Sequence, residues 1–145
     1  MKKALVLDYH YPEEKIYVIP NAINVLPYNK NKFNNPDKIE IIHMSSADRG
    51  MEVLLEAVPY VDRDFTLRIF NDFNPDLYDG RFGTDDDFLR GMYDSRVLFY
   101  NRTPKATVRK YVEKAHIHAY PCQYKETFCL SQIEALSAGD LCVYF

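Results

Sequence analysis

Strand-like runs and helix-spaced segments take turns along this chain, and that alternation leaves few folds open. Ile39–His43 (IEIIH) is mostly apolar with one charge, as a strand in a buried sheet would be. Met51, Leu54, Leu55 and Val58 then recur at i, i+3, i+4 and i+7, which predicts a helix. Phe65–Phe70 alternates like a strand, and Thr84 before three aspartates predicts an N-cap with acids in a first turn. Val97–Tyr100 is strand-like. Thr103 and Pro104 predict a cap and a first helical residue, with Val108, Tyr111, Val112 and Ala115 on the helix behind them. Ile117–Tyr120 predicts a further strand, the run from Phe128 a helix, and 141–145 a last strand. A short strand is also expected at 16–19. Strand and helix alternating over short connections predict parallel strands with right-handed crossovers. The expected class is α/β: a three-layer α/β/α, Rossmann-like domain with a mostly parallel sheet.

The totals narrow the function classes. A chain of 145 residues suits one domain, and 47% hydrophobic with 27% charged residues is an ordinary globular composition. A net charge of −3 gives no general attraction to nucleic acid or an anionic membrane. No apolar run approaches a membrane span, and the start MKKALVLDYHY lacks a full signal-peptide pattern. Cys122, Cys129 and Cys142 fit neither zinc nor redox spacing, so they are expected as reduced thiols in a cytosolic setting. His116 and His118 would share one strand face, but no third ligand is near, so no metal site is expected. Segments 28–38 and 72–83 are expected as exposed loops.

In parallel α/β sheets, ligands bind where strand carboxyl ends run into helix N-termini. Two turns qualify. The first is HMSSADRG (43–50), with two hydroxyls, Arg49 and Gly50 leading into a helix. Free helix amides and the Arg49 fork suit phosphate oxygens, and Gly50 allows close backbone approach. The plain alternative is that Asp48 caps the helix and Arg49 is a solvated surface residue. The second is KETFCLSQIEALSAGD (125–140). Here Thr127 is expected to cap the helix, leaving the amides of Cys129 and Leu130 near its open end. Leu130, Ile133 and Ser137 share one side, and Glu134, i+4 from Leu130, is on it. A carboxylate about two turns into the helix on an inward stripe could accept the paired hydroxyls of a ribose. Its alternative is a buried or half-buried acid held by a neighbouring arginine or a backbone amide. Glu126, on the loop before the helix, is either a ligand contact or a surface acid. The chain has no G-x-G-x-x-G, P-loop or G-x-S-x-G signature.

At these residues the sequence resembles a known group. KETFCLSQIEALSAGD is similar to the Glu-x7-Glu segment of retaining glycosyltransferases of the GT-B fold, in the glycogen-synthase-like, family-four group. KIYVIPNAIN (15–24), IEIIHMSSADRGMEVLLEAV (39–58) and VLFYNRTPKATVRKYVEKAHIHAYPCQYKETF (97–128) resemble three further segments of that group, in the same order. The resemblance implies residues 1–14 as the end of a preceding helix or linker and 15–145 as a partial nucleotide-sugar-binding domain. It implies that Glu134 binds the ribose and that Glu126 lies at the catalytic centre against the donor sugar. Arg49, with Gly50 behind it, would hold the diphosphate. Thr127, Phe128, Cys129 and Leu130 would face phosphate or sugar, and Asn101, Arg102 and Thr103 would lie near the base. It implies a nucleoside-diphosphate sugar as substrate, no cofactor and no required metal.

Two departures matter. The family's usual arginine before its lysine has no counterpart, since His43 is the only basic residue in 41–48, and Arg49 replaces the lysine. The family's acceptor-binding domain and last elements are also not matched. The expectation is therefore the donor half of a hexosyl-type transferase. It would be inactive without an acceptor-binding domain supplied in cis or trans, and membrane-peripheral at most in a longer parent. The rival is a non-catalytic nucleotide-binding or interaction module that kept the fold. LCVYF (141–145), apolar and uncharged, predicts self-association.

Overall fold

The structure is a computed structural model that describes every residue except Met1, Asn35, Tyr78, 81–83, Lys125, Thr127 and Phe145; of Leu77 only the backbone is described. Five strands form one parallel sheet: β1 (Ile39–His43), β2 (Phe65–Phe70), β3 (Val97–Tyr100), β4 (Ile117–Tyr120) and β5 (Leu141–Tyr144), in the order β3-β2-β1-β4-β5. Among the described residues five α-helices accompany them: α1 (Lys2–Leu7), α2 (Met51–Ala57), α3 (Asp86–Met92), α4 (Lys105–Val112) and α5 (Leu130–Ala138). The expected α/β class with its parallel sheet is what the chain adopts. Among the described residues no helix is long and apolar enough to cross a membrane.

The order follows from the crossovers. The chain steps outward from β1 to β2 to β3 through α2 and α3, and α4 then carries it back to β4, on the other side of β1. Right-handed connections put the two helix pairs on opposite faces. Two cores result. Met51 and Leu55 of α2 and Phe88 and Met92 of α3 pack with Leu67, Ile69 and Val97. Val112, Ala135 and Ala138 of α4 and α5 pack with Leu26, Ile42 and Phe70. Neighbouring residues on β1 divide between them, Ile41 to the first core and Ile42 to the second. Each fully buried aliphatic such as Leu55 or Ile42 contributes roughly 1.5–3 kcal/mol. Gly91 lets α3 cross α2 closely, since a β-carbon there would meet the Leu55 carbonyl oxygen at 1.9 Å.

Several local expectations are corrected. Residues 16–19 form no strand: Tyr17, Val18 and Ile19 are 83%, 73% and 84% exposed and pair with neither sheet edge. The α3 cap is Asp85 rather than Thr84, because the Asp85 carboxylate accepts the Phe88 amide at 2.8 Å. Before α4, Thr103 is turned back onto the Asn101 carbonyl (2.8 Å) and Pro104 occupies the cap position. The loop 28–38 is not wholly exposed. Lys32 is buried beneath α4 and α5, donating to the carbonyls of Val112 (3.4 Å) and Ala138 (2.9 Å) and pairing with buried Asp140. One ammonium thus satisfies carbonyls at two helix C-termini, where positive charge is favoured.

Candidate functional site

The strand order reverses between β1 and β4, so the helices that follow these strands lie on opposite faces of the sheet and a crevice forms at the strands' carboxyl ends. Both turns singled out in the sequence border it. Gly50 brings them together: its φ of +86° is left-handed, and a β-carbon there would lie 2.0 Å from the Pro121 carbonyl oxygen. The Ser45 and Ser131 hydroxyls meet across the crevice at 3.4 Å.

α5 begins at Leu130, with Cys129 at its cap position and no side chain capping it. Thr127, expected as the cap, lies outside the described residues. The later start leaves the amides of Leu130, Ser131 and Gln132 at the open end and puts Glu134 little more than one turn in, rather than two. The buried face of α5 is Glu134, Ala135 and Ala138, while Leu130 is exposed to the crevice. Two cavities, of about 290 and 410 Å³, share Ser45, Ser46, Leu130 and Ser131 as lining. The smaller holds Arg49, Glu126, Phe128 and Cys129; the larger runs past Glu134 and Lys105 to Asn71, Asp72, Arg102 and Thr103.

In the smaller cavity Arg49 forms an ion pair with Glu126 and lies over the Tyr124 ring, 5.2 Å from its centroid. It is 4.0 Å from Asp48, which caps nothing: the α2 cap position is Gly50. The buried Tyr120 hydroxyl donates to the same Glu126 oxygen, Oε1, at 2.8 Å. Burial, and then that bond, raise the hydroxyl above its ordinary value, so Tyr120 stays a donor. In the larger cavity Glu134, 6% exposed, accepts Lys105 Nζ at 2.9 Å and Arg109 Nη2 at 3.1 Å, both on Oε1. Burial alone would raise the carboxyl, but the hydrogen bonds from Lys105 and Arg109 outweigh it and hold it below its ordinary value.

The structure therefore gathers Arg49, Glu126, Phe128, Cys129, Leu130 and Glu134 around one crevice, with Arg102 and Thr103 at its far end. Asn101 stands back, its carbonyl taken by Thr103. Gly50 faces away, into a separate cavity with Asp48, Glu52 and Tyr124. Sequence reasoning missed Lys105, Arg109 and Tyr120. The i, i+4 spacing of Lys105 and Arg109 marks a common helix face, but nothing local ties that face to Glu134. His43 is no phosphate contact: it is fully buried, and its Nδ1–H donates to the Ala119 carbonyl at 2.9 Å. His118, also fully buried, has neither ring nitrogen hydrogen-bonded. His116 instead accepts the Glu40 amide at 2.9 Å. Among the described residues no three His, Cys, Asp or Glu side chains gather as a metal-ligand set.

The fold is that of an α/β domain with a parallel sheet, like the domains of GT-B glycosyltransferases that it resembles. A glycosyltransferase from Rickettsia africae superposes on 99% of the chain with a TM-score of 0.69 at 19% identity. The lipopolysaccharide outer core galactosyltransferase WaaB matches 99% of it (TM-score 0.59, 14% identity), and sucrose-phosphate synthase from Thermosynechococcus elongatus 83% (0.59, 20% identity). This chain spans 41%, 40% and 32% of those three chains respectively, under half of each. No family model matches the sequence, and no curated protein does.

Proposed function

We propose that this chain is the donor-binding half of a retaining, hexosyl-type glycosyltransferase and holds a nucleoside-diphosphate sugar in the crevice between β1 and β4. The observation that carries this reading is the contiguity of the two cavities. A cation and open helix amides lie at one end, and a buried carboxylate held ionised lies at the other. The diphosphate meets Arg49 and the amides opening α5, which stabilise the charge that grows on the leaving group; no metal is required for that role. The ribose hydroxyls donate to Glu134, whose Oε1 is already held by Lys105 and Arg109. Glu126 accepts hydroxyls of the sugar and orients it. We assign it no nucleophilic step, since same-face attack by the acceptor accounts for retention. Arg49 is ion-paired with Glu126, so holding the diphosphate requires the guanidinium to shift from carboxylate to phosphate. The acceptor comes from a further domain, in cis or trans, in a cytosolic setting.

The test is ligand-observed NMR of the chain with UDP, GDP and ADP in parallel, repeated on Glu134→Gln. Binding of a nucleotide that is lost in the variant supports the reading. Absence of binding by a folded sample overturns it.

A further inference from the structure

The far end of the larger cavity has a chemistry that Glu134 and Arg49 do not explain. It lies at the ends of β2 and β3, on the side of β1 away from β4, so a nucleotide with its diphosphate at α5 and its ribose at Glu134 would extend its base there. Several polar side chains at that end are already engaged. Asn71 accepts the Phe73 amide at 3.0 Å and donates to Met51 Sδ at 3.5 Å. The Thr103 hydroxyl is on the Asn101 carbonyl, and Lys105 is on Glu134. Asp72 and Arg102 differ. Their side chains are 68% and 90% exposed, they line the cavity, and only a 3.9 Å ion pair joins Asp72 Oδ2 to Arg102 Nη2. An exposed pair of that length is worth little and opens readily.

We propose that Asp72 and Arg102 read the base of the bound nucleotide and select guanine; this rests on the donor-site reading above. A carboxylate beside a guanidinium offers two acceptors next to a fork of donors. Guanine presents the complement on two adjoining edges: the N1–H and N2 amine donate on one, and O6 and N7 accept on the next. Arginine forked onto O6 and N7 is the common way a protein holds guanine. Uracil has one N–H between two carbonyl oxygens, so Asp72 would face a lone pair. Adenine supplies one amine beside an unprotonated ring nitrogen. The carboxylate thus discriminates by repulsion as well as by attraction.

The experiment is a titration of the chain with GDP, IDP, UDP and ADP by ligand-observed NMR, on the native protein and on Asp72→Asn, Arg102→Gln and Glu134→Gln. GDP is expected to bind about tenfold or more tightly than UDP or ADP, with IDP, which lacks the 2-amine, weaker than GDP. Asp72→Asn should erase the difference between GDP and IDP, and Arg102→Gln should weaken both. Both positions are exposed, and far-UV circular dichroism checks that each variant is folded. UDP or ADP binding as tightly as GDP, still lost in Glu134→Gln, overturns the guanine assignment and leaves the donor site standing. A GDP preference unchanged in both Asp72→Asn and Arg102→Gln overturns it too. A folded chain that binds none of the four overturns the assignment together with the reading beneath it.

Discussion

The Gly50 α-carbon lies so close to the Pro121 carbonyl that a β-carbon at position 50 would stand 2.0 Å from its oxygen. That approach holds the turn after β1 against the loop after β4 and so sets the width of the crevice. Gly50→Ala combines a backbone clash with a left-handed φ, and should destabilise the fold by about 2 kcal/mol or more. A lower urea midpoint at unchanged m-value is the expected readout; a midpoint equal to that of the native chain would contradict it.

Lys32 and Asp140 form a buried pair, with side chains 1% and 0% exposed. Lys32→Met leaves the carboxylate without its partner and should cost about 3–5 kcal/mol. Adding Asp140→Leu should recover most of that loss. The comparison is between urea midpoints of the native, single and double variants. A double variant no more stable than Lys32→Met would refute the pairing argument.

The histidine behind Tyr120 predicts a pH dependence. Burial, with His43 nearby, pushes His118 down to about 4. The unfolded chain binds that proton near pH 6.5, so the neutral ring's contribution is complete above 6.5 and is lost as pH falls through 4. Asp140, raised by burial to about 6 in spite of Lys32, works in the opposite sense: its contribution is complete below about 4 and fades as pH rises through 6. Relative to the native chain, His118→Leu should therefore gain stability as pH drops from 7 to 4.5. Asp140→Asn should lose it over the same interval. Thermal melts of the three proteins at four pH values decide both signs.

β5 is an edge strand with Leu141, Val143 and Tyr144 58%, 50% and 63% exposed. A free, apolar strand edge templates pairing with another chain. We expect concentration-dependent association in sedimentation velocity, reduced by Val143→Lys. A monodisperse monomer at high concentration would contradict this.

The parts of the fold legible beforehand were those decided within one turn or one strand. The 3.6-residue spacing of Met51, Leu54, Leu55 and Val58 and the alternation in Phe65–Phe70 each report which side of a local element is apolar, and β1 to β4 fall where those patterns put them. The misplaced features depend on partners far along the chain. Residues 16–19 have strand-like composition but no neighbouring strand to supply hydrogen bonds. Lys32, in a polar run that looks like an exposed loop, is buried because two helix C-termini and Asp140 converge on it from more than 75 positions away. The charge on the α5 stripe was visible as Glu134, but the residues that hold it were not.

What a bare reading of residues established is therefore the α/β class and the two turns at the strand ends; it picked out Arg49, Glu126 and Glu134 beside those turns but left each open between a ligand contact and a plain structural or surface role. Each rests on local periodicity or on the chemistry of a single side chain. Only tertiary structure decided that Tyr120 and Arg49 converge on one Glu126 oxygen, that Lys105 and Arg109 converge on one Glu134 oxygen, and that Asp72 and Arg102 share the far rim. The first two juxtapositions come from the crossover that returns the chain from β3 to the opposite side of β1, and the third from the pairing of β2 with β3. No spacing along the sequence encodes how far apart two loops stand once a sheet has closed between them.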